Sequence, residues 1–191
     1  MAGSARYTAV LDANTLYPAP VRDLLLSLAV EGLYHARWTH RIHEEWTRNL
    51  VLKRPDIAPR LAALVELMNR AVPDCLVDHF EDLIPGLALP DPDDRHVLAA
   101  AIAGHADAIV TFNLKDFPAG ALGPHQIEAI HPDDYILDQL ELHPYEALAA
   151  VKKMRARLIR PPQTAADLIV TLERSGLPAT AAHLRQAQAL I

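Results

Sequence analysis

Only one cysteine, Cys75, occurs in the 191 residues, so neither an internal disulfide nor a thiolate metal cage can form, and a reducing, cytoplasmic compartment is expected. No run approaches the ~18 uninterrupted apolar residues of a membrane span. Met1 to Arg6 lacks the basic stretch and apolar core of a secretory signal, and a soluble chain without a membrane segment is expected. Positive charge is also short. A net charge of −6 argues against a domain that grips nucleic acid by bulk electrostatics, since such domains are usually basic. It leaves a nuclease open, because an acidic metal site can carry the negative balance while local arginines and lysines meet phosphates.

Apolar residues make up 51% of the chain, enough for a folded core. Its length suits one ordinary domain with an appendage. Four separated acidic segments stand out: Val10-Leu11-Asp12-Ala13-Asn14, Ile42-His43-Glu44-Glu45-Trp46, Pro90-Asp91-Pro92-Asp93-Asp94-Arg95-His96-Val97 and Val110-Thr111-Phe112-Asn113-Leu114-Lys115-Asp116-Phe117. Each places a carboxylate where a strand ends or a helix begins. Acids gathered by folding from such distances repel one another unless a cation sits between them, and a hard divalent metal is the simplest one.

Tyr7 to Leu11 reads as a strand closed by Asp12-Ala13-Asn14-Thr15, followed by a helical stretch from Val21 to Val30. Leu33 to Ala36 suggests a short second strand. Thr39 is placed to cap a helix through Leu52 that turns Ile42, Trp46 and Leu50 inward. Another helix is expected over Arg60 to Ala71 and a strand over Cys75 to Val77. Asp94 opens the apolar run Val97 to Ala103, and Asp107 to Thr111 reads as a buried strand leading into Phe112 to Phe117. Alternating strands and helices predict an α/β domain with a mainly parallel sheet. Ligands of such sheets collect beyond the carboxyl ends of the strands, where Asp12 and Asn113 to Asp116 fall. After about Tyr135 the strand signal stops, and Glu146 to Leu158, Ala165 to Arg174 and Ala179 to Ala189 read as helices. The expected division is residues 1–134 as the α/β domain and 135–191 as a helical extension.

Every motif also has an ordinary structural explanation. Asp12 can be turn chemistry, with Asn14 and Thr15 orienting it or satisfying loop backbone. Glu44 and Glu45 point about 100° apart on a helix and are not expected to face one site together, which favours Glu45, beside the apolar Trp46. His40 and His43 lack zinc-protease spacing and read as surface or capping histidines. Asp91, Asp93 and Asp94 suit a helix start with or without a metal. Asn113 and Asp116 can form a simple turn. The case rests on all four segments together.

Taken in order, these segments resemble the PIN-domain family of metal-dependent ribonucleases, especially bacterial toxins of the VapC type. The resemblance covers roughly residues 7–131, and the helical tail looks like the extension of one branch of those toxins. It implies a three-layer α/β/α fold whose acids bind Mg²⁺ or Mn²⁺ and cleave RNA. Carried across, the first three acids are Asp12, Glu45 and Asp94, and the fourth position is filled by Asn113 or by Asp116. Many relatives have an aspartate where this chain has Asn113. Asn14, Thr15, Thr111 and Asn113 are the supporting polar residues, and Arg41, Arg48 and Lys115 the cations placed to meet phosphate. Lys152, Lys153, Arg155, Arg157 and Arg160 form a second basic segment, read as a solvated helix face. Aromatic residues are only 5% of the chain, so a structured RNA is as open as a messenger.

The resemblance further implies inhibition by a cognate antitoxin, often a DNA-binding protein whose tail enters the active-site groove. A homodimer through the apolar tail helices and core packing within one chain both stay open. So do two other functions: a PIN-like binding module weakened at Asn113, and a DNA nuclease or phosphatase using the same carboxylates.

Overall fold

The computed structural model describes residues 7–191. In chain order the elements are β1 (Thr8–Leu11), α1 (Ala13–Leu16), α2 (Ala19–Val30), β2 (His35–Arg37), α3 (His40–Lys53), α4 (Ala58–Ala71) and α5 (Arg95–Ala103). Then come β3 (Ala108–Val110), α6 (Ala119–Leu122), β4 (Glu128–Ile130), α7 (Pro132–Leu142), α8 (Pro144–Arg157), α9 (Ala165–Arg174) and α10 (Pro178–Gln186). The described residues form two compact units, one holding 7–17 together with Tyr34–His131, the other Pro18–Leu33 together with Pro132–Ile191.

The first unit is α/β, as its alternating pattern predicts. Its strands are all parallel in the order β2-β1-β3-β4. Ala9, Val10 and Leu11 of β1 and Ala108, Ile109 and Val110 of β3 are fully buried, as central strands of a parallel sheet must be. The chain pairs β1 first with β2 on one side and then with β3 on the other. The gap beyond the ends of β1 and β3 is therefore the topological switch point where α/β sheets bind ligands. Leu11 pairs with Val110, so the residues one step further, Asp12 and Thr111, emerge side by side there.

Helix α5 packs on β1 and β3, and its alanine-rich sequence lets the backbones approach closely, with Ala99, Ala100 and Ala101 fully buried. Gly104 ends it. A Cβ there would lie 2.9 Å from the Ala100 carbonyl oxygen and 2.9 Å from Val77 Cγ2, so the close approach requires glycine. Thr39 caps α3 by accepting the Ile42 N–H at 3.1 Å, as expected.

Two expectations are corrected. Cys75–Val77 is not a strand but a single bridge, Leu76 to Trp38, because left-handed residues Asp74 (φ 53°) and His79 (φ 60°) bracket it. His43 is neither a surface nor a capping residue. It is 3% exposed, with Nε2 3.0 Å from Asn69 Oδ1 and Nδ1 accepting from Trp46 Nε1 at 3.0 Å. Asn69 Oδ1 also accepts from Trp38 Nε1 at 2.8 Å, so a closed polar network makes the burial of this imidazole affordable.

The second unit is helical. Helix α2 is buried nearly all round, through Val21, Leu24, Leu25 and Leu28, and packs against α7, α8 and α9. Lys153 of α8 meets Glu31 at 2.7 Å, and Arg157 donates to Ser27 Oγ at 2.7 Å. Two cations of the basic C-terminal segment are thus engaged within this unit. Asp133, at the start of α7, accepts the Ala179 and Thr180 N–H groups of α10, both at 2.8 Å, and caps that helix from outside its own sequence. Among the described residues, no helix is long and apolar enough to cross a membrane.

Candidate functional site

The site begins at Asp12, which leaves β1 and caps the four-residue α1. Its carboxylate is 4% exposed and held from three sides: Oδ1 accepts the Ala13 N–H at 2.7 Å, and Oδ2 accepts from Asn14 Nδ2 at 2.6 Å and Thr111 Oγ1 at 2.8 Å. Asn14 Oδ1 accepts the Phe112 N–H at 3.0 Å, and Thr111 Oγ1 accepts from Asn14 Nδ2 at 2.9 Å and from the Asn113 N–H at 3.0 Å. Thr15 donates to the Asp12 carbonyl at 2.8 Å. These contacts tie the end of β1 to the end of β3 and fix the direction in which Asp12 points.

Asp94 stands at the cap position of α5, yet its side chain makes no capping hydrogen bond. Asp91 takes up the turn chemistry instead, accepting the Asp93 N–H at 2.9 Å. Glu45, on α3, is partly exposed and lies 3.4 Å from Nε2 of the buried His96. Asp116 is half-buried in the turn after β3 and accepts a hydrogen bond from Asn113 Nδ2.

The four carboxylates lie within electrostatic reach of one another. Burial pushes Asp12 up to about 6, the Glu45 charge adds to the rise, and hydrogen bonds from Thr111 and Ala13 together with His96 oppose it. Asp94 is pushed up to about 7, first by burial and then by Asp12, Asp91, Asp116 and Glu45. Both shifts express a surplus of negative charge in a partly dehydrated place.

A polar groove of about 470 Å³ is bordered by Glu45, Asp94 and His96 on one hand and by Arg41 and Arg48 on the other; Asp12 and Asp116 are not among its lining residues. Glu44 borders it too, because the groove is wide enough to meet adjacent positions of α3 despite their divergence; only Glu45 is coupled to Asp12 and Asp94. Lys115 is exposed in the turn that carries Asp116. Sequence reasoning overlooked His96. Its signal was a position two residues after Asp94, on the inner side of the alanine-rich helix.

The donor set suits a hard divalent cation, being composed of carboxylate oxygens whose mutual repulsion a cation would relieve. Among the described residues, no three His, Cys, Asp or Glu side chains make a ready metal cage. An ion such as Mg²⁺ takes one or two carboxylates directly and keeps several waters, so it does not require one.

Comparison with known proteins gives two family matches, the PIN domain over residues 8–115 and the VapC50 C-terminal domain over residues 132–186. A curated protein of Mycobacterium tuberculosis, named as a candidate ribonuclease, VapC50, is 47% identical over 93 residues, which are 49% of this chain and 54% of that protein. The match thus spans about half the length of that relative. No solved structure matches the chain.

Proposed function

The chain belongs to the PIN-domain family, and from that premise we propose that it is a divalent-metal-dependent endoribonuclease, the toxin of a toxin–antitoxin pair, acting through Asp12, Glu45, Asp94 and Asp116. One observation carries the reading: carboxylates from four distant segments share a site in which Asp12 and Asp94 are raised to about 6 and about 7 by burial and mutual repulsion. Asp94 borders the open groove and Asp12 is buried at the adjoining strand end, and a perturbed carboxylate beside a cleft is a candidate for function. The name of the mycobacterial relative supports the ribonuclease class.

Asp12 and Asp94 would be the primary ligands of Mg²⁺ or Mn²⁺, with Glu45 and Asp116 completing the set directly or through water. Such an ion, when bound, lowers the pKa of a water and neutralises charge on phosphoryl oxygens. The protein supplies the rest. Asn14 and Thr111 hold Asp12 in one orientation, so no carboxylate rotor has to be ordered when substrate arrives. His96 holds Glu45 toward the groove. Arg41 and Arg48, exposed on its rim, meet the backbone phosphates that flank the scissile bond. An antitoxin reaching the same groove would compete with RNA for these cations and block cleavage.

Cleavage of total bacterial RNA by the purified protein in Mg²⁺, Mn²⁺ or EDTA, beside Asp12→Asn and Asp94→Asn, tests the reading. Discrete metal-dependent products that disappear in both variants are expected. Retained metal-dependent activity in either variant would overturn the residue assignments. Cleavage of DNA or phosphate monoesters in preference to RNA would overturn the substrate class.

A further inference from the structure

On the other side of Glu45 from the polar groove lies a second cavity, of about 370 Å³, lined by Asn14, Tyr17, Glu45, Asn49, Leu52 and Lys53. Its size falls in the ~300–1,000 Å³ range of small-ligand sites. Its chemistry differs from that of the groove. Where the groove is bordered by acids and arginines, this cavity presents a half-buried aromatic ring, an exposed leucine, an exposed amide and one cation.

The helical spacing of α3 explains why the two spaces adjoin. Arg41, Glu44, Glu45 and Arg48 follow i, i+3, i+4, i+7 and border the groove, while Glu45, Asn49, Leu52 and Lys53 follow i, i+4, i+7, i+8 and border the cavity. Glu45 is common to both stripes. Asn14, whose amide holds Asp12, borders the cavity as well. A group seated there is therefore a close neighbour of the four-acid site.

We propose that this cavity receives the base of a nucleotide adjoining the scissile phosphate, stacked on Tyr17, with Asn49 reading its edge and Lys53 meeting its phosphate. The proposal rests on the ribonuclease reading and extends it to a subsite that selects where the enzyme cuts. Three features carry it. The Lys53 ammonium lies 5.3 Å from the centroid of the Tyr17 ring, a cation over an available π face. A base presents its own π face to that ring, and the long, exposed lysine side chain can swing aside to the phosphate that the nucleotide brings with it. Asn14 has no donor to spare, because both N–H groups of its amide are committed to Asp12 and Thr111, and its oxygen already accepts from Phe112. The Asn49 side chain, by contrast, has no hydrogen-bond partner among the described residues and offers both a donor and an acceptor. Glu45 apart, the linings of the two spaces differ: the acids and Arg41 and Arg48 suit a metal and sugar-phosphate, whereas the apolar face of a flat heterocycle suits Tyr17 and Leu52.

The test uses RNA oligonucleotides spanning a mapped cleavage site, with the base removed at one flanking nucleotide at a time. In the wild-type protein, one abasic position next to the cut should lower kcat/KM on the order of 10-fold to 100-fold, the size of a base-on-aromatic contact. Tyr17→Leu should lower cleavage of intact RNA by a similar factor, and in that variant the abasic substitution should cost nothing further. Tyr17→Phe, which keeps the ring, should regain most of what Tyr17→Leu loses, together with the sensitivity to the abasic position. Asn49→Ala, on an exposed position that does not threaten folding, should flatten the preference among the four bases there. If abasic RNA is cut as fast as intact RNA at every flanking position, or the two losses multiply, the subsite is overturned while the ribonuclease stands. If the wild-type protein cuts no RNA at all, the ribonuclease reading falls, and short mixed-sequence RNA oligonucleotides carrying 2-aminopurine decide the subsite by fluorescence in metal-free buffer. Quenching by wild type that Tyr17→Leu abolishes would retain it; equal quenching by both, or none by either, would overturn it.

Discussion

Replacing Thr111 by valine keeps the shape of a side chain that is fully buried and removes one hydroxyl. That hydroxyl donates to Asp12 Oδ2 and accepts from both Asn14 Nδ2 and the Asn113 N–H, so three hydrogen bonds go at once. The bond to the carboxylate is the expensive one, since hydrogen bonds to charged groups contribute ~1.5–3 kcal/mol each. A total loss of ~2–3 kcal/mol is expected at pH 8, where Asp12 is ionised. For chains of this size 1 kcal/mol shifts the melting temperature by ~2–4 °C, so a fall on the order of 4–12 °C follows. The donated bond also lowers the Asp12 pKa, which should rise further above about 6 in the variant. At pH 5 the wild-type Asp12 is already largely protonated and gains less from the donor. The melting difference between the two proteins should therefore narrow to about half between pH 8 and pH 5 in EDTA. Thermal unfolding of both proteins at the two pH values checks this. A difference independent of pH would refute the claim that Thr111 acts on the charge of Asp12, and no difference at either pH would refute its structural importance.

Metal-free wild-type protein should itself lose stability as pH rises. Asp12 is raised from 3.8 to about 6, so the stability it contributes is fully present below pH 4 and lost as pH climbs through 6, by ~3 kcal/mol from Asp12 alone. Asp94 extends the loss toward pH 7, and added Mn²⁺ should restore the melting temperature at pH 8 far more than at pH 5; calorimetry in EDTA and in Mn²⁺ reads both. Gly104→Ala should destabilise by ~1–3 kcal/mol, because the new methyl meets Val77 and the Ala100 carbonyl at 2.9 Å; a denaturant midpoint equal to that of wild type would contradict that packing. Asp133→Ala should cost ~1–2 kcal/mol by uncapping α10, with Asp133→Asn losing less, and hydrogen exchange should show the extra opening at Ala179 and Thr180.

The alternation that predicts an α/β fold was legible because β1 and β3 are buried on both faces and read as continuous apolar runs. Asp12 was legible for the same reason, as a polar residue ends such a run abruptly. The sequence also separated Glu45 from Glu44 through its neighbour Trp46, a fully buried side chain. Other features depended on partners far away in the chain. His43 lies beside two glutamates and reads as solvated, yet Asn69, twenty-six residues on, accepts it into the interior. Strand β4 is three residues long and follows Gly123 and Pro124, so local pattern gave it no signal. Periodicity shows which side of a helix is apolar but not what covers it. That is why Val21 to Val30 could be read as a helix while its packing with α7, α8 and α9 could not.

The course of α2 has a consequence during synthesis. This helix leaves the growing chain only a few residues after Asp12, while the helices that bury it begin at Pro132. At ~5–20 residues per second a ribosome needs roughly 5–20 s to make the intervening stretch. Throughout that interval a leucine-rich helix is without its native covering, and by its end, once Asp116 has been translated, all four candidate acids are present as well. A nascent chain halted late in that window would carry all four candidate acids and an uncovered hydrophobic helix. Chaperone occupancy should accordingly peak before α7 emerges.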